Sequence, residues 1–205
     1  MRQIIFATGN AGKMKEIKMI LADAGYEILS MKEAGILVDI IEDGKTYEEN
    51  AMIKARAIAS QPQAKGCIVL ADDSGLEVDA MGKAPGVFSA RFMGEDTPYS
   101  IKNGEIIRRL EGLKGDERSA RFVCAIAAKF PDGHEITTRA TIEGQIDFEE
   151  KGEHGFGYDP IFYVPKFQRT TAQLTEEEKN EISHRGKALR LMKEELAKYE
   201  SDHSK

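Results

Sequence analysis

The chain has 205 residues, 41% of them apolar, and a formal net charge of −6. That apolar share at this length builds a real core and excludes a disordered chain or a small stapled scaffold. The acidic balance lacks the basic face on which nucleic-acid affinity rests, so it favours a small phosphorylated ligand held by a few converging Lys and Arg, or by a metal, over a polymer.

Ile4, Ile5 and Phe6 are consecutive and apolar, which predicts a strand over residues 2–7 covered on both faces. Thr8-Gly9-Asn10-Ala11-Gly12 is a turn. Met14, Ile17, Leu21 and Ala24 at helical spacing predict a helix from Lys13 to Ala24, closed by Gly25. A short strand is expected at Tyr26–Ser30 and an acidic loop at Asp39–Gly44. Thr46 with Glu49 forms a capping box for a helix reaching about Ser60, with Ala51, Ala55 and Ile58 on its buried stripe. Cys67–Ala71 is a second apolar strand, ending in Asp72-Asp73-Ser74-Gly75, and Met81–Phe92 reads as a loop. Ile101–Leu110 reads as a helix. Ala120–Phe130 and His134–Ile142 read as strands joined by the hairpin signal Pro131-Asp132-Gly133. Thr175 with Glu178 opens a short helix, and Ala188–Tyr199 is the last one. Residues 1–200 read as a single domain and 201–205 as a frayed tail. Strands alternate with helices early and a hairpin comes later, so the fold class is α/β with a mixed sheet flanked by helices.

Cys67 and Cys124 lie in apolar runs and read as buried reduced thiols. No signal peptide opens the chain and no apolar run is long enough to span a bilayer, so the expectation is no membrane contact and a cytoplasmic protein.

Five stretches hold side chains for chemistry. Thr8-Gly9-Asn10-Ala11-Gly12-Lys13 sets a glycine turn at a helix start, where backbone N–H groups, the helix dipole and Lys13 favour an anion. It lacks the Walker A spacing, and it reads equally as an ordinary strand–helix turn with a solvated lysine. Asp72-Asp73 places two repelling carboxylates after a strand, where an oxygen-seeking cation such as Mg²⁺ is a natural partner. Ile41-Glu42-Asp43-Gly44 and Glu48-Glu49-Asn50 offer a further metal carboxylate, or simply solvated acidic faces. Gly155-Phe156-Gly157-Tyr158-Asp159-Pro160 offers close backbone approach, a ring at Phe156 or Tyr158 for stacking, and an acceptor at Asp159, unless it is an aromatic turn packed into the core. Ser183-His184-Arg185-Gly186, with Lys179 upstream, offers donors to a keto oxygen or a phosphate, or a surface charge cluster.

Taken in order, these stretches resemble the inosine triphosphate pyrophosphatase family, the Ham1-like (d)ITP/XTP pyrophosphatases. The similarity is carried by residues 7–13, 46–51, 71–76, 85–91 (Pro85-Gly86-Val87-Phe88-Ser89-Ala90-Arg91), 155–162 and 182–186. The resemblance implies a long mixed sheet with helices in two lobes, the nucleotide in the cleft between them, and a homodimer. It implies that Thr8, Gly9, Asn10, Ala11, Gly12 and Lys13 hold phosphates, and that Asp73 is proton acceptor and, with Glu42, ligand to Mg²⁺. Ser74 would touch substrate, and Phe156, Gly157, Tyr158, Asp159, Lys179, His184 and Arg185 would form the base pocket. The implied reaction cleaves ITP, dITP or XTP between the α and β phosphates, giving monophosphate and pyrophosphate and keeping deaminated purines out of DNA and RNA. Selectivity would follow from donors at Arg185 or protonated His184 to the 6-keto group, and from an acceptor at Asp159 or a backbone carbonyl for N1–H. The rivals are a Maf-like pyrophosphatase of other nucleotides and a non-catalytic nucleotide-binding module. The His184-Arg185 pair argues against the first and the Asp72-Asp73 pair against the second.

Overall fold

Consecutive apolar residues build strands that are covered on both faces, and the computed structural model, which describes residues 2–203, follows that rule at its centre. Strands β1 (Gln3–Phe6), β2 (Glu27–Ser30), β3 (Ile68–Val78), β4 (Ser119–Lys129), β5 (Glu135–Ile146), β6 (Phe162–Val164) and β7 (Arg169–Thr170) form one sheet, ordered β2-β1-β3-β4-β5-β6-β7. β1 pairs parallel with β2 and with β3, Ile5 standing opposite Leu29 and Val69. The β5–β6 and β6–β7 pairings are antiparallel, so the sheet is mixed, as expected. The helices are α1 (Ala11–Ile20), α2 (Tyr47–Ala59), α3 (Tyr99–Arg109), α4 (Glu176–Ile182) and α5 (His184–His203).

The chain divides into two compact units. The first comprises Met1–Asp73, Cys124–Ala140 and Arg185–Lys205. Successive strand residues point to opposite faces, and here each parity has its own core. Ile4, Phe6, Ile68 and Leu70 pack with Met14 and Ile17 of α1 and with Leu189, Met192 and Leu196 of α5. Ile5, Ala7, Val69 and Ala71 pack with Ala51, Ala55 and Ile58 of α2. Each fully buried Ile or Leu contributes roughly 1.5–3 kcal/mol of burial free energy. Cys67 and Cys124 are buried and neither is in a disulfide.

The second unit comprises Ser74–Val123 and Thr141–His184. Its core gathers Leu76, Val78, Ile106, Leu110, Phe122, Ile146, Ile161 and Phe162. Arg118 is buried beside it. Its guanidinium donates to the carbonyls of Leu110, Ile146 and Asp147 at 2.8, 2.7 and 2.8 Å, so each of its three nitrogens has a backbone acceptor.

Both predicted capping boxes are present, Thr46 with Glu49 and Thr175 with Glu178. The hairpin closes with Phe130 N–H donating to the His134 carbonyl at 2.9 Å. Several boundaries differ from expectation: α1 ends at Ile20 with Leu21 as its cap rather than at Ala24 and Gly25, α3 starts at Tyr99, and β5 runs on to Ile146. Three further differences have a visible local setting. α1 starts at Ala11 rather than Lys13, because the Asn10 side chain accepts from the Lys13 N–H at 3.0 Å and caps the helix. β3 does not stop at Ala71 but runs on through Asp72 and Asp73 to Val78, since both carboxylates find partners and strand pairing need not break. α5 begins at His184 rather than Ala188 and continues to His203, so residues 201–203, expected to fray, are helical; Ser204 and Lys205 lie outside the described residues.

Candidate active site

In the first unit the turn after β1 is held by its own side chains. Thr8 Oγ1 accepts from the Asn10 N–H at 3.2 Å, and Asn10 caps α1. The first N–H groups of a helix have no acceptor within it and sit at its positive end, so this turn favours an anion. Lys13 adds an ammonium there, and its Nζ lies 3.0 Å from Asp72 Oδ2.

The pleat of β3 separates the two adjacent aspartates. Asp72 shares the parity of Ile68 and Leu70 and meets Lys13 and Arg185; Asp73 shares that of Val69 and Ala71 and meets residues of α2. Asp72 is only 2% exposed. Burial alone would raise its pKa, but Lys13, Arg185 and Lys54 outweigh burial and hold it well below the usual carboxylate range. Asp73 goes the other way. Burial lifts it above the ordinary value and the charges of Glu42 and Asp72 add to the rise, while Lys54 and a hydrogen bond from Asn50 oppose it.

Asp73 and Glu42 converge on one ammonium. Lys54 Nζ is 3.0 Å from Glu42 Oε2 and 3.7 Å from Asp73 Oδ1. Asn50 Nδ2 donates to Asp73 Oδ2 at 3.1 Å, and its Oδ1 accepts from the Gly44 N–H at 2.8 Å. A Cβ on Gly44 would stand 2.6 Å from Asn50 Oδ1 and 2.8 Å from Glu49 Cβ, so glycine is required for this approach. Glu49 is occupied as the cap of α2, accepting from the Lys45 and Thr46 N–H groups at 2.6 and 3.3 Å. Among the described residues no group of three or more His, Cys, Asp or Glu is arranged to hold a metal ion. Two carboxylates already gathered on a cation fit Mg²⁺, which takes hard oxygen donors and typically completes its shell with waters and substrate phosphates.

In the second unit the loop at residues 155–159 is organised by Asp159, which is buried. Its Oδ2 accepts from the Phe156 N–H at 2.8 Å and from Lys179 Nζ at 2.5 Å, and Thr171 Oγ1 lies 2.8 Å from its Oδ1. Gly155 has φ +79°, and a Cβ there would lie 2.2 Å from Asp159 Oδ2, so only glycine fits. Of the two candidate stacking rings, Phe156 is 54% exposed, with Lys179 Nζ 5.2 Å from its centroid. Tyr158 is buried, its hydroxyl donating to the Ser89 carbonyl at 2.7 Å and its ring edge-on to Tyr99. Burial raises the Tyr158 pKa, which keeps its hydroxyl a donor. Asn103 of α3 donates to the Gly157 carbonyl at 3.3 Å. The His184 ring stacks on Phe122 with centroids 5.0 Å apart, and Ser74 is half-buried.

The residue types quoted in the sequence thus fall into two sets. The first unit brings together Lys13, Asp72 and Arg185 on one face of β3, and Asp73, Glu42, Asn50 and Lys54 on the other. The second unit brings together Phe156, Asp159 and Lys179. Arg185 is buried in the first unit, with Asp72 and Glu16 among its partners. Sequence reasoning missed Lys54, Glu16 and Thr171. Lys54 alone left a trace, four residues after Asn50 on α2 and so on the same helix face.

A sequence profile described as the Ham1 family matches residues 4–195. A dITP/XTP pyrophosphatase of Clostridium perfringens is 47% identical over 199 residues, spanning 96% of this chain and 98% of that relative. The structure of a HAM1 protein from Coxiella burnetii superposes with a TM-score of 0.87 at 40% identity, over 97% of this chain and 100% of its own. The Staphylococcus aureus Ham1 protein gives 0.86 at 39% identity, over 97% and 100%. No helix among the described residues is long and apolar enough to cross a membrane.

Proposed function

We propose that this chain, which belongs to the Ham1 family, hydrolyses the non-standard purine nucleotides ITP, dITP and XTP to monophosphate and pyrophosphate. A relative named dITP/XTP pyrophosphatase at 47% identity supports the substrate class. The observation that carries the mechanism is the division of Asp72-Asp73 across β3. One carboxylate fixes a lysine at a helix start, and the other stands beside Glu42 around a cation.

Residues 8–13 take the phosphates, with Lys13 and the N–H groups of α1 neutralising the pyrophosphate as it leaves. Asp73 orients a water for in-line attack at the α phosphorus and takes its proton, while the bond to the α–β bridging oxygen breaks. Burial raises the Asp73 pKa before a metal binds, and Mg²⁺ there would favour the ionised form that accepts the proton. Mg²⁺ held by Asp73 and Glu42 would supply charge neutralisation on the phosphoryl oxygens.

The base stacks on Phe156, the exposed ring of its loop. Ser74 contacts the substrate. With the Asp159 carboxylate already holding Phe156 N–H and Lys179, a backbone carbonyl is the better acceptor for N1–H. Arg185, whose Nε and Nη1 face Asp72 and Glu16, or protonated His184 donates to the 6-keto oxygen. Adenine reverses both polarities and leaves those groups unpaired, a mismatch worth roughly 10⁴-fold in kcat/KM. Large apolar side chains exposed in the second unit, Phe88, Met93, Ile101 and Phe148, support a homodimer, and the reading places it in the cytoplasm.

Pyrophosphate release is measured with ITP, dITP, XTP, ATP, GTP and dTTP, with and without Mg²⁺. Magnesium-dependent release from the first three is expected. Release mainly from dTTP would transfer the chain to a Maf-like activity, and tight binding without turnover would reduce it to a nucleotide-binding module.

A further inference from the structure

Burying a polar side chain is unfavourable unless its hydrogen bonds are made, and α3 buries two side by side, Lys102 and Asn103, each 1% exposed. Lys102 Nζ donates to the Ala90 carbonyl at 2.6 Å and lies 4.9 Å from the centre of the Tyr99 ring. No carboxylate pairs with it among the described residues. Asn103 Nδ2 donates to Glu150 Oε1 at 2.6 Å and to the Gly157 carbonyl at 3.3 Å. Its Oδ1 is buried and has no hydrogen-bond partner among the described residues. Side chains kept only to fill space would carry neither that ammonium nor that oxygen. What the two residues share is the backbone they hold. Gly157 follows Phe156, and the Ala90 carbonyl follows the Ser89 carbonyl, which accepts from the Tyr158 hydroxyl at 2.7 Å. Tyr99 completes the contact: a Cβ on Gly157 would stand 3.5 Å from its ring, which meets Tyr158 edge-on. All of these residues belong to the second unit.

We propose that Asn103 and Lys102 are positioning residues for the loop that carries Phe156. Asn103 holds the loop at the Gly157 carbonyl, and Lys102 holds the turn at residues 86–90 on which Tyr158 is anchored. This deepens the pyrophosphohydrolase reading and rests on its assignment of the base to Phe156. Gly157 has φ +68°, a conformation glycine shares freely with others, so an outside donor is needed to fix the turn. The Phe156 ring is 54% exposed, so packing alone holds it weakly. Asp159 grips the segment at the Phe156 N–H, and Asn103 grips it at the Gly157 carbonyl, so the two residues are fixed from both ends. A ligand that needs the loop in place binds in proportion to the time the loop spends there. The effect therefore falls alike on every ligand with a base, and not on a ligand without one.

The test uses the full chain with Asn103→Asp and Lys102→Met. Asn103→Asp keeps the shape but sets a carboxylate against Glu150 and the Gly157 carbonyl, where the amide donated. Lys102→Met removes the ammonium from Ala90 while leaving an unbranched side chain in its place. Calorimetric affinities are read for inosine monophosphate, which carries the base, and for inorganic pyrophosphate, which does not. KM and kcat for ITP and ATP and the melting temperature are read beside them. Asn103→Asp should weaken inosine monophosphate about 10-fold, the effect of a loop in its binding geometry about a tenth of the time, with pyrophosphate affinity within about twofold of the parent. KM for ITP and ATP should rise by a common factor of about 10 with kcat within about threefold, the pattern of lost uniform binding. Lys102→Met should weaken inosine monophosphate about threefold while the melting temperature holds, because the lost bond to Ala90 is offset by the removal of a buried charge. It judges the proposal where Asn103→Asp fails to fold. A lowered melting temperature with inosine monophosphate affinity and KM intact would make the two residues structural and overturn the proposal. Equal weakening of inosine monophosphate and pyrophosphate would mean a general loosening and also overturn it. Absence of ITP turnover in the unmodified chain, with the inosine monophosphate affinities changed as expected, would defeat the pyrophosphohydrolase reading and leave the positioning of the loop standing.

Discussion

Asp159→Asn separates a loop clamp from a base reader. Asparagine keeps the shape of the side chain. Its amide oxygen at the Oδ2 position still accepts from the Phe156 N–H and Lys179 Nζ, now without charge. Its amide nitrogen then faces Thr171 Oγ1, which can turn its hydrogen to the Asp159 main-chain carbonyl 3.1 Å away and accept instead. No bond need be lost; the Phe156 and Thr171 bonds lose an ionised acceptor, while Lys179 keeps its own charge and loses its counter-ion. A hydrogen bond to a charged group contributes about 1.5–3 kcal/mol against about 0.5–1.5 for a neutral one, so the loss is about 2–3 kcal/mol. It stays below the roughly 3–5 kcal/mol of a fully broken buried pair, because the Lys179 side chain is 22% exposed and can turn to water. For a chain of this size that corresponds to a fall in Tm of about 4–12 °C. The Phe156 loop then spends less time in its binding geometry, and KM rises by a common factor for every base, about 3–10-fold. Thermal melts and steady-state pyrophosphate release with ITP and ATP measure both effects. If the Asp159 carboxylate accepts N1–H directly, asparagine would offer adenine the donor it needs. A fall of the ITP preference by more than about 10-fold with an unmoved Tm would therefore refute the clamp.

Asp73→Asn removes the proposed base and one metal oxygen while keeping the Asn50 contact feasible, so kcat should fall by at least about 10²-fold with little change in Tm; a variant retaining a tenth of the parent rate would remove Asp73 from the proton transfer. The acid limb of kcat/KM should report Asp73 losing its proton, because only its ionised form can accept a proton or hold Mg²⁺. Lys54→Met removes a charge that lowers Asp73, so the limb should move to higher pH; a limb that moves down contradicts the assignment. Glu135 is held at about 2, chiefly by Arg56 and then by Lys129. A depressed carboxylate stabilises the fold above its unfolded value and loses that contribution as pH falls through the folded one. Glu135→Gln should therefore lower Tm by about 0.4–4 °C at neutral pH, about 0.2–1 kcal/mol for a partly exposed pair, and the gap should close as the pH drops below about 4. A gap that widens in acid would reverse the sign of that argument.

Much of this protein is written in local chemistry. Helix starts at Thr46 and Thr175 are legible because a capping box closes within four residues. The turn between β1 and α1 is legible because residues 8–13 contain its glycines, its cap and its lysine. The consecutive apolar residues of β1 announce a strand covered on both faces, and the later hairpin announces a mixed sheet. The family resemblance gives Asp73 and Glu42 their roles, and their partner Lys54 is marked only by its helical spacing from Asn50. What tertiary structure alone decided is which side chains are already engaged. Asp72 and Asp73 are neighbours in sequence, but β3 continues through them and its pleat sends them to opposite faces, one to Lys13 and Arg185, the other to Asn50 and Lys54. Phe156 and Tyr158 are equal candidates on paper, and packing against Ser89 and Tyr99 buries the second. Arg185 is 113 positions from Asp72 and 169 from Glu16. A sequence shows which donors and acceptors exist. Their pairing depends on distances of about 3 Å between residues far apart in the chain, and only the folded backbone sets those distances.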